Sequence, residues 1–280
     1  MKNALYIITL FSLLTSCSEG LNIRKQRLIL IPPGGFFFGD DQGAESEGPI
    51  VSCTVNEFQL SKTEVSNELF EIFVNKTGYI TDAEKKGGFI YDGEWKLVEK
   101  ANWRMPEGKE VDREKWKVLP VVQVSYNDAL AYCEWANCRL PSEIEWEYAA
   151  KMGKSNEAEM NITTSESTNP RPVDAHSFEP NELGIHHQSG NVWEWCADVY
   201  NSEIHDKLAL QSTTDPFEAF QGRSFDPEKI NATDTLRVIK GGSFLCQAGH
   251  CAGYRPEARQ SVEQSEAYFH IGFRVVKDKR

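Results

Sequence analysis

The sequence predicts a single domain that mixes strands with capped helices, with long stretches that are neither. Three observations lead there. Apolar, β-prone segments stand near both ends, over residues 27–39 and 269–276. Helices with side-chain caps occupy the middle, starting at Ser66, Ser125 and Ser142. Polar stretches without a period, 151–171 and 201–235, separate these elements. No internal repeat, low-complexity tract or boundary divides the chain after its first two dozen residues.

Those first residues carry an address. Lys2 precedes an uncharged apolar run over residues 4–14, too short to span a bilayer, so it reads as the core of a signal peptide. The run ends in Leu14-Thr-Ser-Cys17, which looks like a bacterial lipobox. On that reading residues 1–16 are a lipoprotein signal peptide, Cys17 is the lipidated first residue of the mature protein, 17–26 are a tether and 27–280 are the domain. The expected place is the cell envelope, on the periplasmic face of an outer membrane, with membrane contact through the lipid alone. Of 280 residues, 40% are hydrophobic and 11% aromatic, enough for a sizeable core. A formal net charge of −12 excludes nucleic acid, whose phosphates this surface repels.

In order, residues 27–39 are apolar and are broken by Pro32-Pro33 and Gly34-Gly35, which predicts a hairpin. Residues 51–58 alternate and predict a strand. Ser66 caps a helix whose stripe is Val65, Leu69, Ile72 and Phe73, and Gly78 stops it. Residues 81–120 hold Trp95, Trp103 and Trp116 with little periodicity and are expected to be ordered but irregular. Ser125 and Asp128 open a helix with Ala129, Tyr132, Cys133 and Ala136 facing the core, so Cys133 is expected to be a buried thiol. Ser142-Glu-Ile-Glu145 is a capping box for the next helix. Residues 237–240 form a strand that enters a cysteine loop, and 269–276 a buried closing strand.

That loop, Lys240-Gly-Gly-Ser-Phe-Leu-Cys246-Gln-Ala-Gly-His-Cys251, carries the chemistry. An offset of five turns the second side chain roughly 140° away in a helix and to the opposite face in a strand, so only a loop lets the thiols act together. Two convergent thiols can form a disulfide, relay redox equivalents or hold a soft metal such as Cu(I). With Cys17 lipidated, the other cysteines are Cys53, Cys133, Cys138 and Cys196, and spacing leaves their pairing open.

The ordered set Glu64-Val-Ser-Asn67, Ala101-Asn-Trp-Arg-Met-Pro-Glu-Gly108, Arg139-Leu-Pro-Ser-Glu143, Gly190-Asn-Val-Trp-Glu-Trp195, Gly241-Gly-Ser243 and Gly272-Phe-Arg274 resembles the formylglycine-generating enzyme (sulfatase-modifying factor) family. The resemblance implies an α+β fold related to C-type lectins and poor in regular structure. It implies a copper-dependent oxidase that converts the cysteine of a Cys-x-Pro-x-Arg segment in an exported sulfatase to formylglycine. Cys246 and Cys251 would hold Cu(I), with Ser243 as the active-site serine beside it. His250 stands where well-known members have Tyr, and His270 where they have Asn near the substrate thiol, so both are candidate substrate contacts. Gly190, Val192 and Glu194 match one calcium site of the family, but His187 replaces an oxygen-bearing residue, so any Ca2+ binding is expected to be weak. Alternatively, Glu194 only satisfies buried backbone donors. A zinc site of Cys246, Cys251, His250 and His270 is a further alternative. Cysteines that cross-link some relatives match Ala150, Pro256 and Val275, so those bridges cannot form and Cys133 lacks its partner. Relatives that keep the framework without the chemistry make a non-catalytic envelope lipoprotein, a scaffold or binding subunit, the alternative function.

Overall fold

The computed structural model describes residues 27–154, 160–164, 167, 169–211, 220–221, 235–247 and 252–278. The mixed α and β character is as expected, but both ends differ from the sequence reading. Strands β1 (Leu28–Ile31) and β2 (Gly34–Phe38) are not a hairpin. β2 pairs antiparallel with β3 (Val51–Val55), and β1 pairs with β4 (Phe58–Ser61) in another sheet. Pro32 and Pro33 lack the N–H groups a ladder needs, so the chain leaves one sheet there and enters the next.

Helix α1 (Asn67–Thr77) starts as predicted, with the Leu69 N–H donating to Ser66 Oγ, and stops at Gly78 in the left-handed region (φ 69). Residues 81–120 are more regular than expected. They hold α2 (Asp82–Lys86) behind a Thr81/Glu84 capping box, the hairpin of β5 (Gly88–Tyr91) and β6 (Trp95–Val98), and α3 (Arg113–Val118). Each is too short to display a period. Trp103 and Trp116 are buried and Trp95 is exposed.

Helices α4 (Tyr126–Ala136) and α5 (Glu143–Gly153) both begin in capping boxes, Ser125/Asp128 and Ser142/Glu145. Ala129, Tyr132, Cys133 and Ala136 are buried, as the stripe required. After β7 (Trp193–Val199), part of the 201–235 stretch is ordered into α6 (Ile204–Gln211) and β8 (Phe220–Gln221). Next come β9 (Leu236–Lys240) and β10 (Arg259–Glu263). The closing segment is two short strands rather than one: β11 (Ile271–Gly272) runs parallel to β7, and β12 (Val276–Lys277) pairs with β4. Between them the Phe273 and Val275 carbonyls accept from Val65 and Ser61, so the segment stitches two sheets together.

The central sheet runs β10-β9-β7-β11. One side of the core gathers Phe70, Phe73, Trp103, Tyr132, Trp195 and Phe273. A second cluster under α5 joins Phe38, Phe58, Leu60, Ile144 and Tyr148. Between sheet and helix lie buried charges. Lys240 donates to Glu147 at 3.0 Å, and Arg259 holds Glu143 in a fork at 2.7 and 2.8 Å. Burial pushes Glu143 up, yet Arg259 and Lys240 overcome this and hold its carboxyl down to about 2. Arg274, fully buried, grips Glu194 at 2.5 and 2.6 Å.

Removing one partner of such a pair leaves an uncompensated buried charge. Arg274→Met should therefore destabilise the protein by about 3–5 kcal/mol, read as a lower urea midpoint. Arg274→Met with Glu194→Gln should recover much of that loss, and a double variant no better than the single would refute the pairing as the cause.

Candidate active site

The loop after β9 is shaped by two glycines in sequence. Gly241 and Gly242 have φ of 93 and 70, a conformation that side chains disfavour. Neither site has room for a side chain either. A Cβ on Gly241 would stand 2.9 Å from the Trp146 ring, and one on Gly242 would stand 2.7 Å from the Tyr254 backbone nitrogen. The chain entering the loop is therefore pressed against α5 on one side and against its own return on the other.

A tight turn follows. The Cys246 N–H donates to the Ser243 carbonyl at 2.8 Å, and the Ser243 N–H donates back to Cys246 Sγ at 3.4 Å. The Leu245 N–H donates to Ser243 Oγ at 3.2 Å. Ser243 is buried and so is Cys246. Thr163 pins the turn from outside, its N–H donating to the Cys246 carbonyl and its hydroxyl to the Phe244 carbonyl. The chain is back against this sulfur by Gly253, where a Cβ would lie 3.2 Å from Cys246 Sγ and 2.8 Å from the Trp193 ring. Cys251 and His250 lie outside the described residues.

His270 is reached through the same neighbours. Its carbonyl accepts from the Trp193 N–H at 2.9 Å, and Phe269 beside it meets Phe244 edge-on at 5.4 Å. The imidazole is buried, lies 4.8 Å from the Trp95 ring, and leaves Nδ1 without a hydrogen-bond partner. Burial drives its pKa down to about 3, so the ring is neutral and brings no charge to the site. Ser243, Cys246 and His270 are thus linked by the Phe244–Phe269 and Trp193 contacts. On the far side of Gly253 opens a cleft of about 590 Å³, lined in part by Asp40, Glu47, Trp193, Arg255 and Arg259. Arg255 spans its acids, at 2.9 Å from Asp40 and 2.6 Å from Glu47.

Donor chemistry decides which metals suit these residues. Two thiolates satisfy a soft d10 ion, and Cys246 is held in a turn with an N–H aimed at its sulfur. Among the described residues no three His, Cys, Asp or Glu side chains converge on one point. Calcium fits poorly. Glu194 already accepts three hydrogen bonds from Arg274 and Trp146, so its charge is committed within the protein. His187 donates Nε2–H to the Asp174 carbonyl at 3.2 Å, and burial pushes its pKa to about 4. The alternative role for Glu194 needs amending as well: its partners are side-chain donors, not backbone ones.

Sequence reasoning missed Glu64, which is buried with Oε1 accepting from Asn191 at 2.9 Å and Oε2 unpartnered. Its only signal was its place in Glu64-Val-Ser-Asn67. Burial raises its pKa to about 7 against the opposing pull of Arg274. A raised carboxyl pKa means that the folded state holds the proton more tightly. The stability this gives is complete below the ordinary value of 4.5 and is lost as pH rises through about 7. Glu64→Gln keeps the acceptor for Asn191 and cannot ionise. Its melting temperature relative to wild type should climb between about pH 5 and about pH 8, and a constant difference would exclude Glu64 as the titrating group.

Comparison with known proteins follows the same residues. The family model described as "Sulfatase-modifying factor enzyme 1-like domain" matches residues 17–279. The chain is 36% identical over 296 residues to the formylglycine-generating enzyme of Thermomonospora curvata, covering 90% of this chain and 93% of that protein. It is also 32% identical over 251 residues to a Bos taurus protein named inactive C-alpha-formylglycine-generating enzyme 2, covering 74% and 83% respectively. The fold superposes on the structure of PvdO from Pseudomonas aeruginosa with a TM-score of 0.66 at 22% identity, over 90% of this chain and 94% of that one.

Proposed function

This chain belongs to the sulfatase-modifying factor enzyme 1-like domain family, and from that premise we propose that it is a formylglycine-generating oxidase acting on a sulfatase polypeptide. The observation that carries the proposal is the Ser243–Cys246 turn, in which a buried sulfur receives a backbone N–H beside Gly253, which lines a cleft of about 590 Å³. Cys246 and Cys251 would hold Cu(I), which when bound supplies the means of activating O2. The protein's own residues do the rest. Ser243 orients the Cys246 sulfur through its N–H and closes the turn through its hydroxyl. Gly253 leaves no room for a side chain beside the sulfur, and Trp193 belongs to the same buried cluster as Cys246. His270 and Trp95, with ring centroids 4.8 Å apart, would offer a neutral, largely apolar contact to a substrate segment, in which Cys-x-Pro-x-Arg is the expected motif.

In air and copper, a Cys-x-Pro-x-Arg peptide should lose about 18 Da as its thiol becomes an aldehyde that reacts with hydrazide, whereas ordinary cysteine oxidation adds oxygen. Cys246→Ser with Cys251→Ser should abolish both turnover and stoichiometric copper binding, and Ser243→Ala should lower turnover with copper still bound. Should copper-loaded wild type leave several such peptides unmodified, the non-catalytic reading prevails, and the inactive bovine relative makes that alternative concrete.

The proposed site of action is the cell envelope, with Cys17 as lipid anchor; residues 1–26 lie outside the described structure. Mature protein should incorporate radioactive palmitate and fractionate with membranes. Cys17→Ser should abolish the label, and persistent labelling of that variant would rule out the anchor.

A further inference from the structure

Cys133 and Cys138 have the same offset of five as the loop cysteines, and within a helix that offset would point the second thiol roughly 140° away. The end of α4 removes the obstacle. Asn137 takes the left-handed conformation (φ 53, ψ 53). Its N–H donates to the Glu134 carbonyl at 3.2 Å, and the Cys138 N–H donates to the Cys133 carbonyl at 3.0 Å. These are the two bonds of a Schellman turn, which folds the residue after the left-handed one back onto the residue five before it. In most such turns two apolar side chains meet at those positions. Here they are two thiols.

The contact is made. Cys138 Sγ lies 3.7 Å from the Cys133 carbonyl oxygen, so the second thiol is folded back onto the residue that carries the first. Cys133 is buried in the core against α4's neighbours, while Cys138 is half-buried and lines a surface cavity of about 210 Å³ with Arg139 and Asp278. Reagents thus meet the pair from the Cys138 side. Cys53 and Cys196 are buried in other clusters, so among the described residues neither competes for either sulfur.

We propose that Cys133 and Cys138 form a dithiol that closes into a disulfide across the Schellman turn by exchange with a disulfide oxidant. The Cys138 thiolate attacks one sulfur of the oxidant and expels the other as a thiolate, giving a mixed disulfide. Cys133, deprotonated in turn, attacks the Cys138 sulfur and releases the remaining oxidant thiolate. The two protons and two electrons given up by the cysteines end on the oxidant as two thiols. Closure fixes the chain immediately before Arg139, whose guanidinium holds Glu145 at the start of α5 at 2.6 and 2.7 Å and also reaches Asp278. The bridge would therefore lock the junction between α4, α5 and the C-terminal strand.

The test uses the full chain in oxidised glutathione, then unfolding in iodoacetamide and digestion. Trypsin leaves residues 118–139 on one peptide, which should be unalkylated and lighter by two hydrogen atoms than its reduced form. Cleavage after Glu134 should give two fragments that separate only after reduction. In a Cys246→Ser, Cys251→Ser background, where the loop pair cannot oxidise, oxidised protein should melt above reduced protein, and adding Cys138→Ser should make the two buffers equal. Alkylation of both cysteines, a lasting glutathione adduct on Cys138, or a bridge from either to another cysteine would overturn the proposal. So would a melting difference that survives Cys138→Ser in that background.

Discussion

A guanidinium with no access to water holds this fold in register. Arg274 donates twice to Glu194 on β7, to the Ser61 carbonyl at the end of β4 and to the His186 carbonyl in the preceding loop. Glu194 in turn accepts from Trp146 on α5. One side chain thus joins the closing segment to two sheets, and through its partner to a helix. Desolvating both ions costs several kcal/mol each, and such a pair persists only where every lone pair and N–H finds good geometry. The gain is positional. No apolar side chain could require the Ser61 and His186 carbonyls to face the same point from different parts of the chain.

The loop after β9 inherits that order. Glu194 stands opposite Lys240 in the β7–β9 ladder, so the strand pair that carries the fork also delivers the last residue before Gly241. Lys240 is anchored to Glu147 of the same helix that supplies Trp146. Trp146 then meets the fork through its N–H and the first glycine through its ring edge. A bulkier residue at position 241 would push the turn away from α5, and one at 242 would push it off the returning chain at Gly253 and Tyr254. The position of Cys246 is therefore set by buried charges several residues away as much as by its own hydrogen bonds.

What could be read in the sequence was what depends on local chemistry. Ser66, Ser125 and Ser142 announced their helices because a cap acts over three residues. Tyr132 and Cys133 showed their burial through helical spacing. The Gly241-Gly242 pair announced a loop because only a left-handed backbone needs both. What stayed hidden depends on partners far along the chain. Residues 34–38 are as β-prone as 28–31, and nothing nearby says that each joins a different sheet. Glu64 looks like any helix-flanking acid until Asn191 and Arg274 arrive from over a hundred residues away. Arg274 itself, in a short apolar stretch, carried no local sign of its four acceptor oxygens beyond its place in Gly272-Phe-Arg274.

The two Cys-x-x-x-x-Cys segments show how the same spacing acquires different chemistry from the backbone beneath it. At the end of α4 the chain direction is fixed by a helix, a left-handed Asn and two backbone hydrogen bonds, so Cys138 Sγ is brought to 3.7 Å from the Cys133 carbonyl oxygen. After β9 the glycines free the backbone, and the surrounding residues position Cys246 from outside, with Thr163, Ser243, Trp193 and Gly253 each touching the turn. Such a loop can keep a second ligand at metal-binding distance while a neighbouring cleft admits substrate. A rigid turn suits a structural bridge, and an externally braced loop suits a reactive centre. The number of residues between the cysteines distinguishes neither.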